Sequence, residues 1–376
     1  MIDTDNTKAI AYLPIVNFFV IEGQPTSIEP FGSGHINDTY KIVTDLKDRP
    51  NYMLQRINNN VFKNVDHLMA NLAIVCNHIK KKLETMEEDN IEGKVLTPIP
   101  THDGQLYYRD AQNTYWRMFI LIEGTKTYDI VETTRQAEEG GKAFGRFQAM
   151  LADLNPHDIH EVIPNFLNIA SRLRDFKEAV SRNVAKRAEK VREEIDFILA
   201  RENKMNTVLD MASKSQIPLR ITHNDTKFNN VLLNQADKAQ CVIDLDTVMP
   251  GYVAYDFGDA IRTIINSAAE DEVDLSKVTL NISLFEAYTS GYLESAHHFL
   301  YPMEVKSLVD GVLLLPYMQV VRFLTDFLNG DTYYKISHAE HNLQRTKAQM
   351  KLVIEIEKHE KELRSIVKRK AHIYSI

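Results

Sequence analysis

His223-Asn224-Asp225-Thr226-Lys227-Phe228-Asn229-Asn230, followed downstream by Val242-Ile243-Asp244-Leu245-Asp246, carries more information than any other part of the chain. Val231 to Leu233 is a short apolar run leading away from Asn230, and the polar residues from Gln235 to Lys238 turn the chain around. Cys241 to Ile243 then runs back on a strand and is expected to deliver Asp244 beside Asn230. One hairpin thereby gathers the Asn230 amide and the carboxylates of Asp225 and Asp244 at one end. Magnesium takes hard oxygen ligands, commonly one or two carboxylates completed by substrate phosphates and water. Asn230 and Asp244 supply such a set. Asp225 is left to accept a proton from an attacking hydroxyl. Phosphoryl transfer calls for this layout, because positioning and charge neutralisation supply most of its rate.

Upstream of this island the chain reads first as β and then as helix. Thr39 to Thr44 alternates and is rich in strand formers, Asp48-Arg49-Pro50-Asn51 is turn chemistry, and Tyr52 to Ile57 reads as the partner strand. Val65, Leu68, Met69, Leu72, Cys76, Ile79 and Leu83 recur at helical steps behind Asn64, a plausible cap. Val95 to Ile99, Gln105 to Arg109 and Thr114 to Ile122 read as three further strands. Helical patterns follow over Thr134 to Leu154, Phe166 to Ala212, Leu284 to Leu293, Met303 to Leu328 and His341 to Lys370. The expected fold class is α+β: a small β-rich lobe over residues 1–120, a hinge at 121–126, and a large helical lobe over 127–376 with a helical insertion at 165–212. A cleft between such lobes is where ligands usually bind.

Composition excludes several classes. The 376 residues suggest two domains, and 44 basic against 52 acidic side chains give a net charge of −8. A partner held by a broad basic surface, nucleic acid above all, is therefore not expected. Apolar residues at 44% exclude wholesale disorder. The two cysteines, Cys76 and Cys241, cannot staple a chain of this size, and free thiols fit a reducing cytosol. Ala9 to Val20 is preceded by Asp3 and Asp5 and interrupted by Pro14, unlike a signal peptide or a membrane span. A cytoplasmic chain is expected, with no membrane and no obligate protein partner.

The pattern HxDxxxxN followed by a strand-borne Ile-Asp resembles the catalytic and metal segments of the protein-kinase-like superfamily. Tyr255-Asp256 after it is similar to the aminoglycoside and choline phosphotransferase branch. Gly34-His35-Ile36-Asn37, Thr222 to Lys227, Ile243 to Thr247 with Met249-Pro250-Gly251, Asp256 to Asp259, Arg322-Phe323-Leu324 and Glu340 to Leu343 together resemble the bacterial N-acetylhexosamine 1-kinases, from about residue 15 to 360. This resemblance implies transfer of the ATP γ-phosphoryl, with Mg²⁺, to the anomeric hydroxyl of N-acetylglucosamine or N-acetylgalactosamine. The alternatives kept open are the same chemistry on an aminoglycoside, choline, an amino alcohol or another sugar, and, more remotely, a nucleotide-binding regulator without turnover.

The resemblance also distributes roles. Asp225 becomes the catalytic base, Asn230 and Asp244 the metal ligands, and His223 and Asp256 braces of the loop. Asp246 is open between a second metal contact, a sugar contact and a solvated position. Gly32 and Gly34 let backbone N–H groups approach phosphate, or simply make a turn. The strand Tyr52 to Ile57 carries Gln55 where the superfamily usually has a phosphate-binding lysine, and Arg56 beside it faces the other way. Lys227 is then a candidate to neutralise the phosphates, against a plain reading as a solvated lysine. Backbone groups near Ile120 and Ile122 would meet adenine. His35, Arg322 and Tyr333 are assigned to the sugar, with Asn37 as a weaker candidate and Asp225 reaching its hydroxyl. An i,i+4 ion pair with Asp326 is the plain reading of Arg322.

Overall fold

The computed structural model describes residues 11–32, 36–266 and 268–376. The chain divides into two compact units. The first comprises residues up to Thr125 together with Ile159–Ile163 and Gln240–Thr247, and the second comprises Lys126–Asp158, Pro164–Ala239 and Val248–Ile376.

The first unit is built on an antiparallel sheet. A single helical turn, α1 (Leu13–Val16), precedes β1 (Pro25–Pro30), β2 (Asp38–Thr44) and β3 (Tyr52–Ile57). Helix α2 (Val65–Thr85) follows, then the two-residue strands β4 (Pro98–Ile99) and β5 (Tyr108–Arg109), and β6 (Tyr115–Ile120). The strand order is β1-β2-β3-β6-β4, with β5 also on β6. The period-two pattern splits the sheet into faces. Tyr52, Leu54, Trp116 and Met118 pack with Val16, Phe19, Ile28, Ile42 and Ile99 on one of them. Gln55 and Arg117 sit opposite one another in the β3–β6 register and point to the other face. Helix α2 begins as expected, with Asn64 Oδ1 accepting the His67 N–H at 3.0 Å. The strand expected over Val95 to Ile99 shrinks to its last two residues, because Pro98 and Pro100 limit the ladder.

The second unit is mostly helical. After β7 (Thr125–Lys126), α3 (Thr134–Leu151) opens on a capping box between Thr133 and Gln136. Then come α4 (Ile169–Arg182), α5 (Arg192–Met205) and α6 (Thr207–Ser213), which divide the segment read as charged helices. The strands β8 (Arg220–Thr222), β9 (Val231–Asn234) and β11 (Met249–Gly251) follow, with β10 (Ala239–Val242) falling mostly in the first unit's Gln240–Thr247 segment, then α7 (Val253–Ile264), α8 (Ile282–Ala296), α9 (Pro302–Leu328) and α10 (His341–Ile373). Helix α3 packs on α8, and α9 packs on α7, α10 and α4. Helix α9 is long and apolar enough to cross a membrane, but most of its surface is buried in the fold, where it is the core helix. Helices α7 and α9 cross at Gly258 and Gly311. A Cβ at Gly311 would lie 1.8 Å from the Ala254 carbonyl oxygen, so only glycine admits this approach.

Candidate active site

The loop between β8 and β9 is held by an acidic pair at the start of α7. Strand β8 pairs with β11, Thr222 opposite Met249. The next residue, His223, is fully buried with its ring against the edges of Phe144 and Phe147. Asp256 is also buried, and its carboxylate accepts the His223 N–H at 2.8 Å, the Asn224 N–H at 2.7 Å and the Gln148 amide at 2.8 Å. Burial pushes the Asp256 carboxyl above its ordinary range, and the His223 charge and the N–H donors oppose that shift. Asp259, one turn along α7, accepts the Thr226 N–H at 3.0 Å and is paired with the buried Arg262 guanidinium at 3.0 Å. Asn224 takes a left-handed backbone, φ +64°, with its amide nitrogen donating to the Thr222 and Met249 carbonyls. Asp256-Phe257-Gly258 thus belongs to a helix and to loop bracing.

Three of the sequence-selected residues meet on this loop. Asp225 is half-buried, with its Oδ1 3.1 Å from Lys227 Nζ. The Asp225 charge is the leading cause that holds the Lys227 ammonium above its usual pKa, though half of that side chain is exposed. The Asn230 amide nitrogen donates to the Asp225 carbonyl at 2.9 Å and lies 3.4 Å from its Oδ2. The turn after β9 is closed by the Asn234 N–H on the Lys238 carbonyl at 2.9 Å, and β10 returns beside β9 in a small sheet with β7.

Asp244 and Asp246 depart from expectation. Strand β10 stops at Val242, so neither aspartate is on a strand. Asp244 is exposed with φ +59°, a conformation that aspartate tolerates better than most side chains and that often marks a functional position. Asp246 is the middle residue of a short helical turn, Leu245–Thr247, and is 2% exposed. Its carboxylate takes Arg117 Nη1 at 2.5 Å, Arg117 Nη2 at 2.9 Å and Asn37 Nδ2 at 2.7 Å. It is neither solvated nor free for metal or sugar. Asn37 is spent likewise, since its Oδ1 accepts the Asn58 N–H at 3.0 Å.

Among the described residues no group of three or more His, Cys, Asp or Glu side chains is placed to hold a metal ion. The candidate ligand set is leaner, one amide oxygen and one carboxylate. Taken separately, Asn230 in the helical unit has an amide oxygen and Asp244 in the sheet unit an exposed carboxylate, and both are donor types that a hard cation accepts.

In the sheet unit Gln55 replaces the expected lysine with an amide that bonds Thr39 Oγ1 at 3.0 Å and Arg117 Nε at 3.0 Å. Arg56 pairs with Asp38 near the surface, on the other face. Ile120 N–H is taken by the Thr97 carbonyl at 3.0 Å, and the Ile122 carbonyl accepts the Thr125 hydroxyl at 3.1 Å. Gly32 has φ +78° and open space around it. Gly34 and His35 lie outside the described residues.

Arg322 and Tyr333 line a cavity of about 330 Å³ in the helical unit, together with Arg172, Asp175, Asp326 and Tyr334. The ion pair read from the i,i+4 spacing does not form. Asp326 instead accepts the N–H groups of Thr332, Tyr333 and Tyr334 at 2.8–2.9 Å and the Asn342 amide at 2.8 Å, which fixes the loop after α9. Arg322 lies 5.5 Å over the Tyr334 ring and reaches Gln319 at 3.3 Å. Arg172 Nε is buried without a hydrogen-bond partner. Burial first and the Arg322 charge second lower the Arg172 pKa. The sequence reading gave no role to Arg117, Arg172 or Asp259, although Asp259 lies in the Asp256 to Asp259 string. The signal for Arg117 was a lone charge inside the apolar run Tyr115–Ile120.

A β-sheet unit, a helical unit and the braced His223–Asn230 loop define a kinase-like phosphotransferase. The sequence pattern of the phosphotransferase enzyme family matches residues 27–293, and the chain belongs to that family. Solved structures agree on the fold. An aminoglycoside phosphotransferase from Alicyclobacillus acidocaldarius is 12% identical with a TM-score of 0.60, covering 95% of each chain. Amicoumacin kinase in complex with AMP-PNP, Ca²⁺ and Ami is 10% identical with a TM-score of 0.59, covering 92% of each. Choline kinase from Cryptosporidium parvum is 16% identical with a TM-score of 0.53, covering 94% of this chain and 96% of its own.

Proposed function

We propose that the chain transfers the γ-phosphoryl group of ATP to a hydroxyl of a small acceptor, and that the acceptor is an N-acetylhexosamine phosphorylated at its anomeric position. The observation that carries the transfer reading is the loop on which Asp225, Lys227 and Asn230 converge, in a chain of the phosphotransferase family. Asp225 accepts the proton of the attacking hydroxyl. Lys227, beside it, keeps that carboxylate paired at rest and offers an ammonium to the moving phosphoryl. Asn230 and Asp244 would hold Mg²⁺, and the ion would supply charge neutralisation to the phosphates. Asp256 and Asp259 keep the loop backbone in place through its N–H groups. Gly32, Gly34, Gln55, Ile120 and Ile122 are assigned to the nucleotide, and Asp225, His35, Arg322 and Tyr333 to the acceptor. The lobes and hinge are proposed at 1–120, 121–126 and 127–376.

The acceptor reading rests on the strings shared with N-acetylhexosamine 1-kinases and on the cavity that holds Arg322. Its guanidiniums and phenols suit hydroxyl and acetamide oxygens. A second reading, a choline, amino-alcohol or aminoglycoside acceptor, is favoured by the family match and by the exposed Asp175 carboxylate in that cavity. Asp225→Asn is expected to lower turnover by about 10²–10⁴-fold while ATP still binds, and near-full turnover would remove the assignment. ATP consumption across free N-acetylhexosamines and amine-bearing alcohols, with detection of a sugar 1-phosphate, decides the acceptor.

A further inference from the structure

We infer that Arg117 and Asp246 form a positioning pair that takes over the organising role of the absent β3 lysine, acting on the metal through the backbone that carries Asp244. The inference rests on the reading of Asp244 as a metal ligand. Four observations within the sheet unit lead to it. The strand position at which a lysine was expected is Gln55, a neutral amide. Directly across the β3–β6 ladder, on the same face, stands Arg117, and Gln55 accepts from its Nε. The two terminal nitrogens of that guanidinium close a fork on Asp246 at 2.5 and 2.9 Å, with both side chains almost wholly buried. The Asn37 amide takes the remaining side of the carboxylate.

Asp246 follows Asp244 by two residues, and the intervening Leu245 is buried. The pair therefore pins one end of a very short segment whose other end carries an exposed carboxylate at φ +59°. A lysine would reach phosphate directly, whereas Arg117 is 2% exposed and its guanidinium is committed to Gln55 and Asp246. Its effect must pass through Asp246. Planar bidentate pairing suits this task, because it fixes orientation as well as distance.

The test separates orientation of the metal from folding. Arg117→Met combined with Asp246→Leu removes both charges and leaves no buried ion unpaired. Arg117→Lys keeps the charge without the fork. ATP affinity is measured by calorimetry with Mg²⁺ and with EDTA, alongside thermal melting. The ratio of the two affinities is expected to fall by about 10–100-fold in the double variant, as for other groups that orient metal ligands. A partial fall is expected in Arg117→Lys, and EDTA-state affinity should hold. A pair that only stabilises the fold would shift the melt and leave the ratio alone, and that result overturns the inference. The ratio in Arg117→Lys decides if the double variant does not fold: wild-type ratio there also overturns it. Asp244→Asn tells the two readings apart. An unchanged ratio in that variant defeats the metal assignment and the inference together, whereas a lowered ratio there with an unchanged ratio in the pair variants defeats the inference alone.

Discussion

Asp110 offers a local probe because it touches the chain's single tryptophan. Burial works to raise its pKa, but the Trp116 indole N–H at 2.9 Å and the Thr114 and Gln112 N–H groups prevail, and the net shift is downward. A depressed carboxyl contributes stability that is complete above the unfolded aspartate pKa and is lost as pH falls through the folded value. Trp116 emission is therefore expected to titrate with a midpoint below about 3.9, the ordinary aspartate value, and Asp110→Asn should remove that step. A midpoint above the ordinary value would refute it. At this scale the sequence was informative where spacing is enforced by a loop, as at Asp225 and Asn230. It was silent where a partner comes from far along the chain. Nothing near Asp246 in sequence announces Arg117, and nothing near Arg322 announces that Asp326 is spent on the backbone of the next loop.

Elements were legible in proportion to their length and period. The α2 repeat, the Asn64 cap and the strands β2 and β3 follow from local pattern alone. The three-residue strands β8 and β11 do not, since three residues cannot display alternation. Helix crossings are another feature that only assembly reveals. The contact of α7 with α9 depends on Gly311, and α7 carries both Asp256 and Asp259. Gly311→Ala forces backbone apart, because its Cβ would strike a carbonyl and not a flexible side chain. A loss of about 1–3 kcal/mol or more is expected in urea unfolding. A variant as stable as the parent would mean that the helices separate without strain.

For the whole molecule, the two-part organisation was readable from the order of strands and helices, and the discontinuity of each part was not. Residues 159–163 and 240–247 belong with the sheet unit even though segments of the other unit flank them in sequence. Ligand binding acts on the entire fold by mass action. With Mg·ATP at about a hundred times its dissociation constant, a gain of about 2.7 kcal/mol is expected. Thermal melting should therefore move up by several degrees with Mg·ATP and move less with ATP in EDTA. Equal shifts in both conditions would argue against a metal-assisted nucleotide site.

The interleaved course of the backbone has a practical corollary. A fragment ending at residue 125 would contain the sheet and its Arg117 but would lack Asp246, the counter-charge supplied from 240–247. Such a piece would enclose a lone cation, so dissecting this enzyme into autonomous halves should yield insoluble products. Reconstitution would then require adding back the short peptide that neutralises it.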